Sequence, residues 1–397
     1  MTFKPTAYIQ RALIGLAASL AMLTGAHAEQ NETGVPEAFR GDTPESTLSV
    51  SYADLSRMLK LTVLETGLSD RAHPGRLATR RGSRIVNGNK KATRNEGNLI
   101  DFHSFMGDNL EVLVALRQDL EAVPSAVPLS EFSRNEQLAY WLNLYNLTVI
   151  TQVTSIFPET NLKKYHPKMW DEKVLNVAGI PLSLNDIHHK ILIPKYRNPL
   201  VMYGLFQGFT GGPNIRDEAY TANKVWRQLE ANAAEFVNSN RGARIVRGRL
   251  YTSYFYEENA ALFPQFEDDL KRHLMAFATP AFADRIDAHD GSIKPTQTDW
   301  YVADLYGGNR AISSASNGVP GLIAAFGGDD AWTAFILDKA EIPGNLPAHV
   351  ARRIKQINIK NAKQLREGNV DIEEFNAAAP EPATEPDKPD TGDNPDQ

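Results

Sequence analysis

The chain has 397 residues, 42 Lys and Arg against 48 Asp and Glu, a formal net charge of −6 and no cysteine. The missing cysteines exclude disulfides, thiolate metal sites and a cysteine nucleophile. The negative balance argues against general nucleic-acid binding, which needs a basic surface to neutralise phosphates.

Residues 1–28 predict a secretory signal peptide. Lys4 and Arg11 are its only charges, Ala12 to Gly25 is apolar or small, and Ala26-His27-Ala28 supplies a small-x-small cleavage pattern. A membrane anchor is the competing reading, but this apolar core is too short to span a bilayer. Removing the signal takes away two cations and no acid, so the net charge goes from −6 to −8. A periplasmic or secreted protein with no membrane span after signal removal is expected. Residues 29–47 are polar and are expected to be loose. Residues 48–375 form the globular body. Residues 376–397 carry six acids, one lysine and repeated prolines, which predicts a disordered tail because little apolar surface is available to offset ordering.

Within the body, Leu55, Leu59 and Val63 predict a helix over 52–66. The basic run from Arg71 to Arg94 reads as a solvated loop or hairpin, with an anion-binding face as the alternative. Inside it, 81–89 recurs in similar form as 241–249, which suggests two related short strands. Residues 102–121 predict a helix closed by Pro124 and Pro128. Ser133-x-x-Glu136 is a capping box opening a helix to about Val153. At 100° per residue, Arg134, Gln137, Thr148, Thr151 and Gln152 fall on an expected solvent face. Asn135, Asn143 and Asn146 fall on the opposite stripe, facing inward. A buried amide without partners costs about 1–3 kcal/mol, so these must bond to backbone, side chains, water or a ligand.

Lys173 to Ala178 predicts a strand, followed by a second capping pattern, Ser183-x-x-Asp186, and a short helix ended by Pro194. That helix carries His188 and His189, which diverge too far on a helix to clamp one metal. Leu200 to Phe206 predicts a buried strand leading into the loop Gln207 to Asn214. Asp217 is expected to cap an amphipathic helix through Val237. No phosphate-loop or dinucleotide motif follows the glycines. Arg244 to Tyr256 predicts one long strand, the residues around Leu262 to Leu274 a helix, Trp300 to Tyr306 a strand and His349 to Leu365 a helix.

Residues about 98–280 resemble the family called domain of unknown function 547. The resemblance rests on Arg134-Asn135-Glu136-Gln137-Leu138-Ala139-Tyr140-Trp141-Leu142-Asn143-Leu144-Tyr145-Asn146, on Asn176 to Gly179 with Ser183 to His189, and on the Tyr203 to Asn214 loop. It implies an α+β domain and brings no established reaction. Many members that the chain looks like carry Cys-x-x-x-x-Cys-Pro where this sequence has Gln207, Gly212 and Pro213. Their Asp-Ile-Glu-His pattern is matched by Asp186-Ile187-His188-His189, so His189 takes the place of the histidine. A thiolate reaction cannot occur here, because glutamine is not a nucleophile.

The expected fold is α+β, with helices packed on a modest, mostly antiparallel or mixed sheet. The first functional reading is a non-catalytic binder of a polar ligand or peptide, in a cleft lined by Asn143, Asn146, His189 and Gln207, with Asn135, His188 and Asn214 beside it. The second is a hydrolase or acyl transferase with His189 as acid/base and Thr210 or Ser183 as hydroxyl. The third is a scaffold or interaction protein. None of these readings calls for a metal or cofactor, and no nucleic-acid partner is expected.

Overall fold

The computed structural model describes residues 32–72, 89, 91–307, 352–353 and 355–361. The signal peptide, the 81–88 strand and the 376–397 tail lie outside the described residues.

The elements in chain order are α1 (Ala53–Thr62), β1 (Val63–Leu64), β2 (Leu99–Ile100), α2 (Asn109–Ala126), α3 (Arg134–Ile156), α4 (His166–Asp171), β3 (Leu175–Val177) and β4 (Ile180–Leu182). A π-helical stretch, Asp186–Leu192, runs into α5 (Ile193–Tyr196), and a 3-10 helix spans Pro199–Gly204. Then come α6 (Val225–Val237), β5 (Ala243–Val246), β6 (Arg249–Ser253), α7 (Phe255–Glu258), α8 (Phe266–Phe277), α9 (Pro280–Asp287) and β7 (Lys294–Gln297). The fold class is α+β. The strands form three small sheets: β1–β2 and β3–β4, both antiparallel, and β5–β6–β7, in which only β6–β7 is parallel.

Helix α3 is the axis of the molecule. The Ser133 hydroxyl accepts from the Glu136 backbone N–H, as the capping pattern requires. Every residue from Glu136 to Thr151 is buried, so the expected solvent face does not exist. Most of its polar groups are satisfied internally, Gln137 Oε1 and Trp141 Nε1 being exceptions among the described residues. Gln137 Nε2 donates to the carbonyls of Gly41, Leu129 and Phe132, while Thr148 and Thr151 donate back to Leu144 and Leu147. A helix enclosed on all sides by protein must hide its hydroxyls in such i−4 bonds.

One enclosing wall comes from the N-terminal segment. Its expected looseness is not seen from Glu32 onward. Val35 and Phe39 are fully buried, and Phe39 meets Trp141 edge-on at 4.9 Å. Arg134 pairs with Glu32 at 3.0 Å and Asp42 at 3.2 Å. The buried Lys195 ammonium donates to the Phe39 and Gly41 carbonyls. Two apolar anchors and these charge-assisted bonds outweigh a polar composition.

Other expectations are corrected. Leu200–Phe206 is not a strand. Asn198 caps Leu200, Pro199 starts a 3-10 turn, and a side chain at Gly204 would stand 2.7 Å from Leu142, so the run packs flush on α3. A short apolar run alone does not separate strand from helix. Asp217 caps nothing; α6 begins at Val225, and Asp217 pairs with Lys360 at 2.8 Å. Arg244–Tyr256 folds as a hairpin whose turn is Arg247-Gly248, both with positive φ, followed by α7. Pro194 sits in the first turn of α5, where its missing N–H breaks no bond. Residues 300–306 make only single bridges, to Asn161, Phe209 and Ile100. Residues 352–353 and 355–361 are helical, within the span read as the last helix.

Among the described residues, no helix is long and apolar enough to cross a membrane.

Candidate functional site

The asparagines of α3 are inward, but they bind the protein's own backbone. Asn143 donates to the Tyr220 carbonyl and accepts from the Tyr220 N–H, each at 2.9 Å. Asn146 does the same with the Gly204 carbonyl and the Phe206 N–H. A carboxamide matches the peptide group donor for acceptor, so each clamps one loop to the helix. Asn143 and Asn146 also line a small cavity of about 10 Å³, with Leu55, Leu59, Ile150 and Tyr220. Gln207, His188 and His189 are not among its lining residues. Asn135 is exposed and accepts from the Trp226 indole. Asn214 accepts from Asn98 N–H and Arg241, tying the glycine loop down.

These placements carry a prediction. Asn146→Ala removes two buried hydrogen bonds and leaves Gly204 C=O and Phe206 N–H without partners. The expected loss is about 2–4 kcal/mol in urea unfolding, with the slope unchanged.

A different set of residues does converge, around the hydroxyl of Tyr145 on the far side of α3. Tyr145 is fully buried. Its oxygen accepts from Trp170 Nε1 at 2.9 Å and from Gln207 Nε2 at 3.0 Å. The same Gln207 nitrogen donates to the Leu205 carbonyl, which can only accept, and this fixes the orientation of the amide. Both lone pairs of the phenol are therefore filled by donors. Its own proton remains, and among the described residues no acceptor takes it.

Gln207 also lies beside His166. Its amide favours the protonated ring, yet burial dominates and lowers the His166 pKa to about 4. His166 stacks on Trp170 at 4.2 Å and meets Trp300 at 4.9 Å. Its Nε2 is buried and has no hydrogen-bond partner within normal geometry among the described residues. The third member is Glu258, at the end of α7. It is half-buried, its carboxylate accepts no hydrogen bond and pairs with no cation among the described residues, and burial lifts its pKa to about 7. Its charge is close enough to raise the Tyr145 pKa further above that of a free phenol.

The histidine pair borders this neighbourhood. His188 is buried, and its Nε2 contacts Asn259 Oδ1 at 2.7 Å; burial, then the neighbouring His189, lowers its pKa to about 3. This bond docks α7, and with it Glu258, against the π-helical stretch. His189 stacks on His188 at 4.0 Å but is exposed. Asp171 acts electrostatically on both His166 and His189. Ser183 is spent in the cap with Asp186, and Thr210 donates to the Tyr301 carbonyl. Among the described residues no hydroxyl is hydrogen-bonded to His189, so they lend the acid/base reading of that residue no geometric support.

Positions 207 and 212 are neighbours across the glycine loop. A Cβ built on Gly212 would lie 2.6 Å from the Gln207 Cβ. Cysteines at both positions would need only a small shift to reach the roughly 3.8 Å Cβ separation of a disulfide, a structural use rather than a nucleophilic one. Among the described residues, no group of three or more His, Cys, Asp and Glu could hold a metal.

The helix, the clamped loops and the Tyr145 cluster define a helical α+β domain with a polar centre behind its main helix. Residues 129–237 match the family described as "Protein of unknown function, DUF547", and this segment belongs to that family. The match is narrower than the 98–280 resemblance and leaves Glu258 outside. No curated protein and no solved structure matches the chain.

Proposed function

We propose that the chain is an exported, non-catalytic binding protein that takes a small polar ligand against Tyr145, His166, Gln207 and Glu258. The observation that carries this reading is hydrogen-bonding capacity left unused among the described residues, at the Tyr145 proton and His166 Nε2 beside Gln207, with the half-buried Glu258 carboxylate acting electrostatically on Tyr145. Buried polar groups without partners are expensive, and a site made to be filled is one reason to keep them. The absence of a nucleophile at Gln207 favours binding over covalent catalysis. Export rests on the leader-like residues 1–28.

Hydrolysis of a bound ligand by activated water is the second reading. A carboxyl that titrates near neutrality beside a phenol has the protonation balance of a general base.

The mature chain from Glu29, screened by thermal shift against peptidoglycan fragments, short peptides and sugars, tests the first reading. At least one class should raise the Tm, the added stability being about 2.7 kcal/mol at a hundredfold excess over Kd. The shift should be lost in Glu258→Gln. No shift with any class overturns the reading, and turnover of the bound ligand would favour the second.

A further inference from the structure

We infer that the outer face of the β5–β6–β7 sheet binds a linear acidic polysaccharide, whose anionic groups meet Arg244, Arg247, Arg249 and Lys294 around the Tyr251 ring. The site is separate from the Tyr145 centre and rests on none of its residues.

The strand register builds the face. Ala243, Leu250 and Thr252 are buried, and Ile245 packs against the core, so the alternate positions Arg244, Val246, Arg249 and Tyr251 point outward. Arg244 pairs with Tyr251, and Tyr251 with Lys294, in one cross-strand row; Val246 pairs with Arg249 in the next. Neighbouring strands lie about 4.8 Å apart, so the row places a cation, an aromatic ring and a second cation across about 10 Å. Arg247 adds a cation at the hairpin tip. It sits at φ 51°, a turn position that favours asparagine or glycine, so the hairpin holds a charge where the backbone prefers another residue.

These cations are not used inside the chain. Among the described residues, no carboxylate pairs with Arg244, Arg247, Arg249 or Lys294. Asp284 and Asp287 of α9, and Asp290 beyond it, are exposed and form no ion pair with them, while Arg285 of α9 reaches the Ile245 carbonyl at 3.5 Å. Arg244 is the most telling. Its guanidinium stands 5.9 Å from the Tyr251 ring centre, and its Nε, closed off from solvent, has no acceptor among the described residues. Arg241, three residues earlier, is instead answered by Glu235, Asn214 and Gly212. An oxyanion is the group that satisfies a guanidinium, through charge-assisted hydrogen bonds.

Charge density selects the polymer. Duplex DNA carries one charge per about 1.7 Å of axis, and beyond this patch it would meet a chain of net charge −6. A polysaccharide with its anions a sugar apart matches sparse cations, and its C–H groups can rest on the apolar ring of Tyr251. A bilayer fits less well: on this hairpin Val246 is the one exposed aliphatic side chain, too little apolar surface to enter lipid.

Isothermal titration of the mature full chain at low ionic strength uses polygalacturonate and dextran sulfate, with neutral dextran as the control. At least one acidic polymer should bind, dextran should not, and added salt should weaken the binding steeply. Arg244→Gln, and the double variant Arg249→Gln with Lys294→Gln, should each weaken it by about tenfold or more. Both positions of the double variant are exposed, so it tests the face even if Arg244→Gln misfolds, and unchanged urea unfolding shows that a variant is intact. No binding of either acidic polymer, equal binding of dextran, or binding that survives in both variants overturns the inference. Tighter binding of phosphatidylglycerol vesicles or of oligodeoxythymidylate, lost in the same variants, gives the face to lipid or nucleic acid and also overturns it. Binding seen only after the acids of residues 376–397 are changed to amides assigns the face to the chain's own acidic segment, with the same result. The Tyr145 reading stands or falls separately, on its thermal-shift screen.

Discussion

Between pH 7.5 and pH 5 the protein is expected to lose several kcal/mol of stability, well before its carboxylates are extensively protonated. His103 and His188 are 4% and 3% exposed, and burial lowers their pKa values to about 4 and about 3. Their native forms are neutral, whereas the unfolded chain binds a proton on each near the ordinary value of 6.5. Stability from these rings is complete above pH 6.5 and falls as pH drops toward the native values. At pH 5 each ring contributes a loss of about 2 kcal/mol, or about 4 kcal/mol for the pair. His166 and His273, both lowered to about 4, add in the same direction. Glu258 opposes them. Its pKa of about 7 lies above the unfolded value, so acidification removes a native-state penalty there. Burial also raises Glu65, Asp101, Asp119 and Glu136, which act in the same sense as Glu258, so the net loss is smaller than the sum over the rings. Urea midpoints at the two pH values measure the effect. His188→Gln, whose amide can still donate to Asn259, should flatten the acid limb by about one ring's share. An unchanged midpoint at pH 5 would mean that these rings are solvated.

Arg241→Ala should destabilise by about 3–5 kcal/mol, among the largest effects of any single substitution. The guanidinium is 1% exposed and grips Glu235 in a two-pronged pair, with further bonds to Asn214 Oδ1 and the Gly212 carbonyl. Its own N–H is held by Glu96, which also binds Ser69 and Asn240. Removing the arginine leaves the Glu235 carboxylate buried without a counter-charge, and that desolvated charge is the main part of the loss. Arg241→Ala with Glu235→Ala should therefore be less unstable than the sum of the two single variants. A double-mutant cycle by urea unfolding checks this, and strict additivity would show that the pair is solvent-screened.

The sequence carried the position of α3 closely, 133–153 against 134–156, because a capping box and a long apolar period are local signals. It also carried the direction of Asn143 and Asn146. It could not carry their partners, since Tyr220 and Gly204 lie some 60–80 positions away and the chain folds back only in three dimensions. Tyr145 was legible only as an apolar flank of the same helix, for a phenol ring counts as hydrophobic in any periodicity. Glu258 gave no sequence signal, because one acid in a Tyr-Glu-Glu-Asn run is ordinary until burial perturbs it. Gln207 was found through the resemblance, as the residue standing where relatives carry cysteine. The histidine pair sits on the turn the sequence suggests, yet the two rings stack at 4.0 Å although adjacent helical positions diverge by about 100°. Leu200–Phe206 was misread because its burial comes from α3 on one face and α6 behind it, not from strand neighbours.

The strap formed by Glu32 to Asp42 also bears on how the chain is made. Phe39 emerges from the ribosome first, yet Trp141, the ring it covers, follows about a hundred residues later. During that interval the aromatic anchor has no native surface to rest on, and closing so long a loop is a slow, late event. A nascent chain with Phe39 uncovered is a natural client for holding chaperones, and trimming the segment would leave the flank of the central helix permanently open.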